Sequence, residues 1–303
     1  MTYLLFFIGL AALFFGGEFL VRGASSVARH FKLSPMVIGL TVVGFGTSAP
    51  EMMVSVGAAL EEQPAIAIGN ILGSNIANIL LILGISALIA PLLIPVSKLW
   101  RDFIFMIAAT LVIWWMLLDG FVSRVEGFVL LAGLVVFLVT AFMTGKEEPA
   151  DDAPPIGNQL VAWGLTIGGL IVLVIGARLL VDSATLIART YGISEAVIGL
   201  TIVAVGTSLP ELATSVIAAI RKQTEIAVGN IVGSNIFNIF GILGTTAIIH
   251  PIPSEARFAA VDMPWVLGSA VALIVLAILL KGLPRIAGVV LLAGYGGYLA
   301  LMA

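Results

Sequence analysis

Residues Val37–Leu92 align without a gap on Val197–Ile252 at a fixed offset of 160 positions, and more than half of the aligned residues are identical. The match continues upstream, where Leu20-Val21 corresponds to Leu180-Val181, Ala28-Arg29 to Ala188-Arg189 and Ser34 to Ser194. Such a duplication requires a fold made of two copies of one unit. The copies are strongly apolar, so the environment of that fold is constrained too.

With 60% hydrophobic and 10% charged residues and a mean hydropathy of +1.19, the chain carries more apolar surface than a water-soluble globule can bury. It belongs in lipid. A net charge of −3 and the lack of a basic tract interleaved with aromatics exclude nucleic-acid binding. No cysteine is present, which removes disulfides and thiolate metal sites. Tyr3–Leu20 lacks the basic flank and small-residue cleavage site of a signal peptide, so it reads as the first span.

Crossing the bilayer takes roughly 20 apolar residues per helix. Ten runs qualify: 3–22, 35–60, 65–90, 103–119, 125–144, 159–181, 195–220, 225–249, 262–280 and 284–302. The stretch from Gly145 to Asn158 holds Lys146, Glu147, Glu148, Asp151, Asp152, Pro154 and Pro155 and reads as a short surface linker. The expected organisation is therefore a first five-span repeat over 1–144, a linker over 145–158 and a second five-span repeat over 159–303.

With the N-terminus outside, inner connections and span ends hold ten of the 14 basic residues: Arg22, Arg29, Lys32, Lys98, Arg101, Lys146, Arg221, Lys222, Lys281 and Arg285. Only Arg124, Arg178, Arg189 and Arg257 lie outside, so the positive-inside rule places both termini outside and the linker in the cytoplasm. Five spans per unit make the second copy enter the membrane from the opposite face. The expected fold is an all-α membrane protein of about ten transmembrane helices in two inverted five-helix repeats, the architecture on which secondary transporters build a midplane site.

Each copy carries one carboxylate deep in an apolar span: Gly46-Thr47-Ser48-Ala49-Pro50-Glu51 and Gly206-Thr207-Ser208-Leu209-Pro210-Glu211. A charged residue at the bilayer centre costs on the order of 2.5–3.5 kcal/mol on insertion scales, so a repeated one needs a common purpose. A structural role would require a buried Arg or Lys at matching depth, and neither span has one. A cation held between the two acids meets the need.

Pro50 lacks an amide proton and its ring crowds the carbonyl of Gly46, so the helix should bend there. Carbonyls of roughly Val43 to Thr47 should then turn toward a cation. Thr47 and Ser48 lie four and three residues before Glu51 and share its face; Ala204, Gly206, Thr207, Ser208, Pro210 and Glu211 repeat the construction. All ligands on offer are oxygens, which suit hard ions such as Ca²⁺ and Na⁺ rather than copper or zinc.

A second paired block follows: Gly69-Asn70-Ile71-Leu72-Gly73-Ser74-Asn75-Ile76-Ala77-Asn78 and Gly229-Asn230-Ile231-Val232-Gly233-Ser234-Asn235-Ile236-Phe237-Asn238. Ser74 with Asn78, and Ser234 with Asn238, fall on one helical face, while the glycine pairs permit close helix approach. Four helices can thus enclose one polar cavity. Ser55, Ser215, Asn70 and Asn230 read first as packing residues. Glu18, with Arg22 four residues on, reads as an interfacial pair, and His30 and His250 as boundary residues.

These paired blocks resemble the two alpha-repeats of the cation/calcium exchanger superfamily, in its sodium/calcium exchanger branch. The resemblance implies a secondary antiporter, not an enzyme, that exchanges several Na⁺ for one Ca²⁺ by alternating access, the first and sixth spans sliding against the rest. It makes Glu51 and Glu211 the central bridging carboxylates, Thr47, Ser48, Thr207, Ser208, Ser74 and Ser234 oxygen ligands, Gly44 and Ala204 backbone-carbonyl ligands, and Asn78 a residue of the middle position. Relatives often carry an acid at the position of Asn238; its absence here sets Asn78 opposite Asn238 and argues for potassium-independent exchange. The short linker leaves no room for a calcium-sensing domain. The expected partners are Ca²⁺, Na⁺ and the lipid bilayer, with no cofactor, no required protein partner and a monomer sufficient. A compact cysteine-free chain suits the cytoplasmic membrane of a prokaryote.

Three rivals differ in their predictions. A calcium/proton antiporter shares the acids, but relatives of that type place a carboxylate in the block where this chain has serine and asparagine. A passive channel would pass cations without a counter-ion. An intramembrane protease could use two carboxylates but gives no reason for the symmetric Thr, Ser and Asn oxygens.

Overall fold

The computed structural model describes residues 1–92, 96–145, 157–192 and 204–302. Eleven helices organise them: α1 Thr2–His30, α2 Pro35–Thr47, α3 Ala49–Leu60, α4 Pro64–Ile89, α5 Val96–Leu117, α6 Arg124–Thr144, α7 Gln159–Thr190, α8 Leu209–Ile220, α9 Thr224–Ile249, α10 Phe258–Leu279 and α11 Arg285–Met302. Among the described residues eight are long and apolar enough to cross a membrane, and α2 with α3 forms a ninth span bent by 44°. The bend falls at Ser48, immediately before Ala49-Pro50, as the missing proline amide requires. In the second copy only the turn Ala204–Gly206 and α8 are described. The first part of the expected seventh span and most of the expected linker lie outside the described residues.

Two helix ends run beyond the apolar runs: α1 continues to His30 and α7 to Thr190. Asn158 caps α7, its side-chain oxygen accepting from the Val161 amide at 3.0 Å. Ser123 and Glu126 form a reciprocal capping box at the start of α6.

The two helices bearing the asparagine blocks occupy the centre. The most apolar window of α9 is wholly buried and that of α4 largely so, whereas α6 and α11 lie at the periphery. Each central helix opens into a π-turn at the same place in its copy, Asn78–Leu83 and Asn238–Leu243. A further π-turn, Gly39–Val43, widens α2. Such turns are rare and often occur at functional sites.

Glycines determine two close approaches. On α1, Gly9, Gly16 and Gly23 face the backbone of α7: a methyl group at Gly16 would lie 2.8 Å from the Leu173 nitrogen, and one at Gly169 would lie 2.5 Å from the Leu20 nitrogen. The contacts run from Gly9 against Gly176 to Gly23 against Thr166, so α1 and α7 lie antiparallel with their backbones touching. Gly229 and Gly233 likewise admit α2, meeting Met36 and Leu40, as their spacing predicts. The equivalent partners of Gly69 and Gly73 would be residues 196 and 200, outside the described residues. At the two ends of the bundle, strands β1 Phe121–Val122 and β2 Ile252–Pro253 pair antiparallel, and a bridge joins Leu92 to Leu283.

Candidate functional site

Glu51 and Glu211 sit in the first turns of α3 and α8, each about 1% exposed. Helix N-termini favour negative charge, which offsets part of the cost of placing a carboxylate there. The acids are joined crosswise: Ser48 Oγ donates to Glu211 Oε1 at 3.0 Å, and Ser208 Oγ donates to Glu51 Oε1 at 3.1 Å. Each serine stands three residues before the acid of its own copy and bonds that of the other, so the acids share one interior site. Neither faces lipid.

Asparagines build the frame around them. Asn70 Nδ2 donates to the Glu51 carbonyl at 3.2 Å and to Ser55 Oγ at 2.9 Å. Its counterpart Asn230 donates to the Glu211 carbonyl at 3.3 Å and to Ser215 Oγ at 3.0 Å. These four residues hold the acid-bearing turns in place, consistent with their reading as packing residues. Where α4 crosses α9, Asn75 Nδ2 donates to the Asn235 carbonyl at 3.2 Å and Asn235 Nδ2 returns a bond to the Asn75 carbonyl at 3.1 Å. Asn78 Nδ2 then donates to Asn235 Oδ1, and Asn238 Nδ2 to Asn75 Oδ1, each at 3.0 Å. Sequence reasoning passed over Asn75 and Asn235. Their position three residues before Asn78 and Asn238 was the available signal.

This network consumes donors and leaves acceptors over. Among the described residues, Glu51 Oε2, Glu211 Oε2, Asn78 Oδ1 and Asn238 Oδ1 are buried with no hydrogen-bond partner. Buried polar atoms are almost always paired, so four unpaired acceptors in mirrored positions point to a ligand that supplies positive charge. Two other buried acids, also mirror-related, likewise keep one oxygen without a hydrogen bond, but each lies beside a base. Asp102 pairs with Arg101 at 2.5 Å, and Asp262 has Arg257 at 3.7 Å and the Tyr298 hydroxyl at 3.2 Å. Among the described residues Glu51 and Glu211 have no such cation. Nor do the described residues contain a cluster of three or more His, Cys, Asp or Glu side chains.

The remaining predicted residues divide by copy. Thr47 Oγ1 donates to Asn230 Oδ1 at 3.0 Å, and Ser234 Oγ donates to the Gly44 carbonyl at 3.2 Å. The Gly44 carbonyl also accepts the Ser48 amide at 3.2 Å, so it keeps an intrahelical partner that the bend was expected to remove. The missing amide of Pro50 frees only the acceptor four residues back, Gly46, and leaves Gly44 engaged. In the other copy Ser74 Oγ turns back to the Asn70 carbonyl of its own helix at 2.6 Å. Thr207 Oγ1 is buried and, among the described residues, makes no hydrogen bond to α4, and Ala204 opens the turn Ala204–Gly206. Beside Thr207 lies a cavity of about 160 Å³, lined also by Pro50, Met53, Arg178 and Asp182, between α7 and α3.

Glu18 makes the expected pair with Arg22 and adds a second, distant one. It is buried, and besides Arg22 at 2.5 Å it binds Arg221 at 2.6 Å, tying α1 to the end of α8. A partner 203 positions away has no local signature in sequence.

The family model "Sodium/calcium exchanger protein" matches residues 1–143 and 161–303. The chain is 40% identical over 309 residues to a putative antiporter, CaxA, of Alkalimonas amylolytica, covering 97% of this chain and 96% of that protein. It is 32% identical over 346 residues to the sodium/calcium exchanger MaX1 of Methanosarcina acetivorans, covering 100% and 98%. A structure of the sodium-calcium exchanger NCX_Mj, soaked with 10 mM Na⁺ and 10 mM Sr²⁺, superposes with a TM-score of 0.88 at 36% identity, covering 99% of this chain and 97% of that one. Fold and comparisons together define a multi-pass membrane antiporter rather than an enzyme. The chain belongs to the sodium/calcium exchanger protein family, within the cation/calcium exchanger superfamily.

Proposed function

We propose that this chain exchanges Na⁺ for Ca²⁺ by alternating access at one central site built on Glu51 and Glu211. The observation that carries the reading is the set of four buried acceptors without donors, one oxygen from each glutamate and one each from Asn78 and Asn238. Two carboxylates offset the charge of one Ca²⁺ or of a set of Na⁺ ions, and all-oxygen coordination fits both. Ser48 and Ser208 spend their protons on the glutamates and keep lone pairs for the ion. Thr47, Thr207, Ser74 and Ser234 and the carbonyls of Gly44 and Ala204 complete the shells as oxygen ligands. No organic cofactor takes part.

The mechanism follows from charge. An empty site with two ionised carboxylates repels itself in a low-dielectric interior and resists moving across the membrane. Either load removes that repulsion, and because both use the same carboxylates they compete, which couples the two fluxes. More than two Na⁺ per Ca²⁺ makes the exchange electrogenic, worth about 2.3 kcal/mol per charge per 100 mV. The neutral Asn78 and Asn238 supply no carboxylate for a further monovalent ion, which favours potassium independence.

The architecture assigned to this cycle is two inverted five-span repeats, 1–144 and 159–303, around a short cytoplasmic linker, with both termini outside, working as a monomer in a prokaryotic cytoplasmic membrane. The names of the relatives MaX1 and NCX_Mj support sodium as the coupled ion. Isotopic Ca²⁺ uptake into sodium-loaded proteoliposomes tests it. Uptake should follow an imposed Na⁺ gradient; uptake driven by a pH gradient alone identifies a calcium/proton antiporter, and uptake needing no counter-ion identifies a channel.

A further inference from the structure

The two copies are more than half identical over their core, yet a cluster at their edges reverses every charge. Glu18, Arg22, Arg221 and Lys222 correspond, at the offset of 160, to Arg178, Asp182, Glu61 and Glu62. Because the acid and both kinds of base flip together, attraction between the partner helices is kept in each copy with the signs exchanged. In the structure only one of the two clusters is closed. Glu18 of α1 grips Arg221 at the end of α8 at 2.6 Å. Arg178 instead stands 3.5 Å from Met53 Sδ, and among the described residues neither Arg178 nor Glu61 has an ion-pair partner.

Packing between the same helices shows the same asymmetry. On the closed side a methyl group at Gly17 would lie 2.5 Å from Ile217 Cδ1, so α1 is seated against α8. On the other side the counterparts are Ala177 and Gly57: Gly57 has open space beside it among the described residues, and Ala177 lines the cavity of about 160 Å³ that reaches Thr207. Deeper in, the difference persists: Thr47 Oγ1 and the Gly44 carbonyl bond to α9, whereas among the described residues Thr207 Oγ1 makes no bond to α4. One side is packed tight, and on the other a cavity reaches Thr207, four residues before Glu211.

The glycine-lined backbone contact packs α1 directly on α7, so that in this inference the two move together. A shift that seats α7 on α3 must therefore lift α1 from α8. We infer that Glu18–Arg221 and Glu61–Arg178 are sign-reversed latches, formed alternately, that close the two faces of the exchanger in turn. The inference rests on the alternating-access reading above. These four are positioning residues: they touch no ion and decide from which side the site is open.

The absence of native cysteine makes cross-linking direct. In proteoliposomes treated with a bis-methanethiosulfonate linker long enough to span the lost side chains, Glu18→Cys with Arg221→Cys should cross-link in the state described here, and Glu61→Cys with Arg178→Cys should cross-link during turnover with both ions present. Each bond should arrest exchange until a reductant is added. Arg178→Glu alone should slow exchange about fivefold, the scale of an exposed ion pair, and adding Glu61→Arg should restore it. Failure of the second pair to cross-link while the first does, or a double reversal no faster than the single one, overturns the latches. Sodium-driven Ca²⁺ uptake by the unsubstituted chain is scored separately; with that flux intact, either failure removes the latches and leaves the exchange reading standing.

Discussion

Ser48 donates a 3.0 Å hydrogen bond to Glu211, an acid 163 positions away in the other copy of the repeat. Ser208 does the same for Glu51 at 3.1 Å. Each copy thus supplies the hydroxyl that orients the other's carboxylate, so neither half holds a complete site.

Glu51→Gln and Glu211→Gln should each abolish sodium-driven Ca²⁺ uptake while leaving the protein folded, since glutamine fills the same space without the charge. Losing one charge about 4 Å from an ion at an effective dielectric near 20 costs about 4 kcal/mol for each unit of ion charge, or roughly a thousandfold. Flux assays beside size-exclusion profiles measure both halves of the expectation. Full activity in both single variants would remove the two-glutamate site.

Ser48→Ala and Ser208→Ala should weaken Ca²⁺ binding rather than abolish exchange. A hydrogen bond to a charged group contributes about 1.5–3 kcal/mol, so the half-saturating Ca²⁺ concentration should rise roughly 10- to 100-fold. The mirrored geometry predicts similar shifts for both, and a large difference between them would show that the copies do not share the load.

Asn75→Ala should lower stability through the α4–α9 crossing, because it removes a donor to the Asn235 carbonyl and the acceptor for Asn238. Hydrogen bonds between membrane helices contribute about 0.6–1.7 kcal/mol each, so thermal unfolding in detergent should move down by a few degrees. The same loss is expected for Asn235→Ala.

Gly169→Ala should be costly and Gly168→Ala silent. A methyl group at Gly169 would lie 2.5 Å from the Leu20 nitrogen, whereas at Gly168 nothing lies within 4 Å among the described residues. Overpacking costs about 1–3 kcal/mol, and here backbone, which cannot step aside, is the obstacle. Equal melting temperatures for the two variants would contradict the close approach of α1 and α7.

The membrane class, the duplication, the bend before Pro50 and the two acids with their flanking Thr and Ser were all readable in the sequence. Each is a local fact: an apolar run, a missing amide, a residue type at a helical spacing. The asparagine blocks were readable as a motif, but their division of labour was not. Asn70 and Asn230 tie down acid-bearing turns, Asn75 and Asn235 lock the crossing, and Asn78 and Asn238 are left with bare oxygens. Those roles depend on which helix lies opposite, and spacing along one helix carries no information about its neighbour. The same holds for Glu18, whose local partner Arg22 was visible and whose distant partner Arg221 was not. Sequence alone determined that each copy sets one acid deep in an apolar span, with no Arg or Lys beside it in that span. The tertiary structure decided that each is oriented by the opposite copy, and that Glu18 meets Arg221 while, among the described residues, Arg178 and Glu61 form no ion pair, because contacts between helices far apart in the chain exist only once the helices are packed.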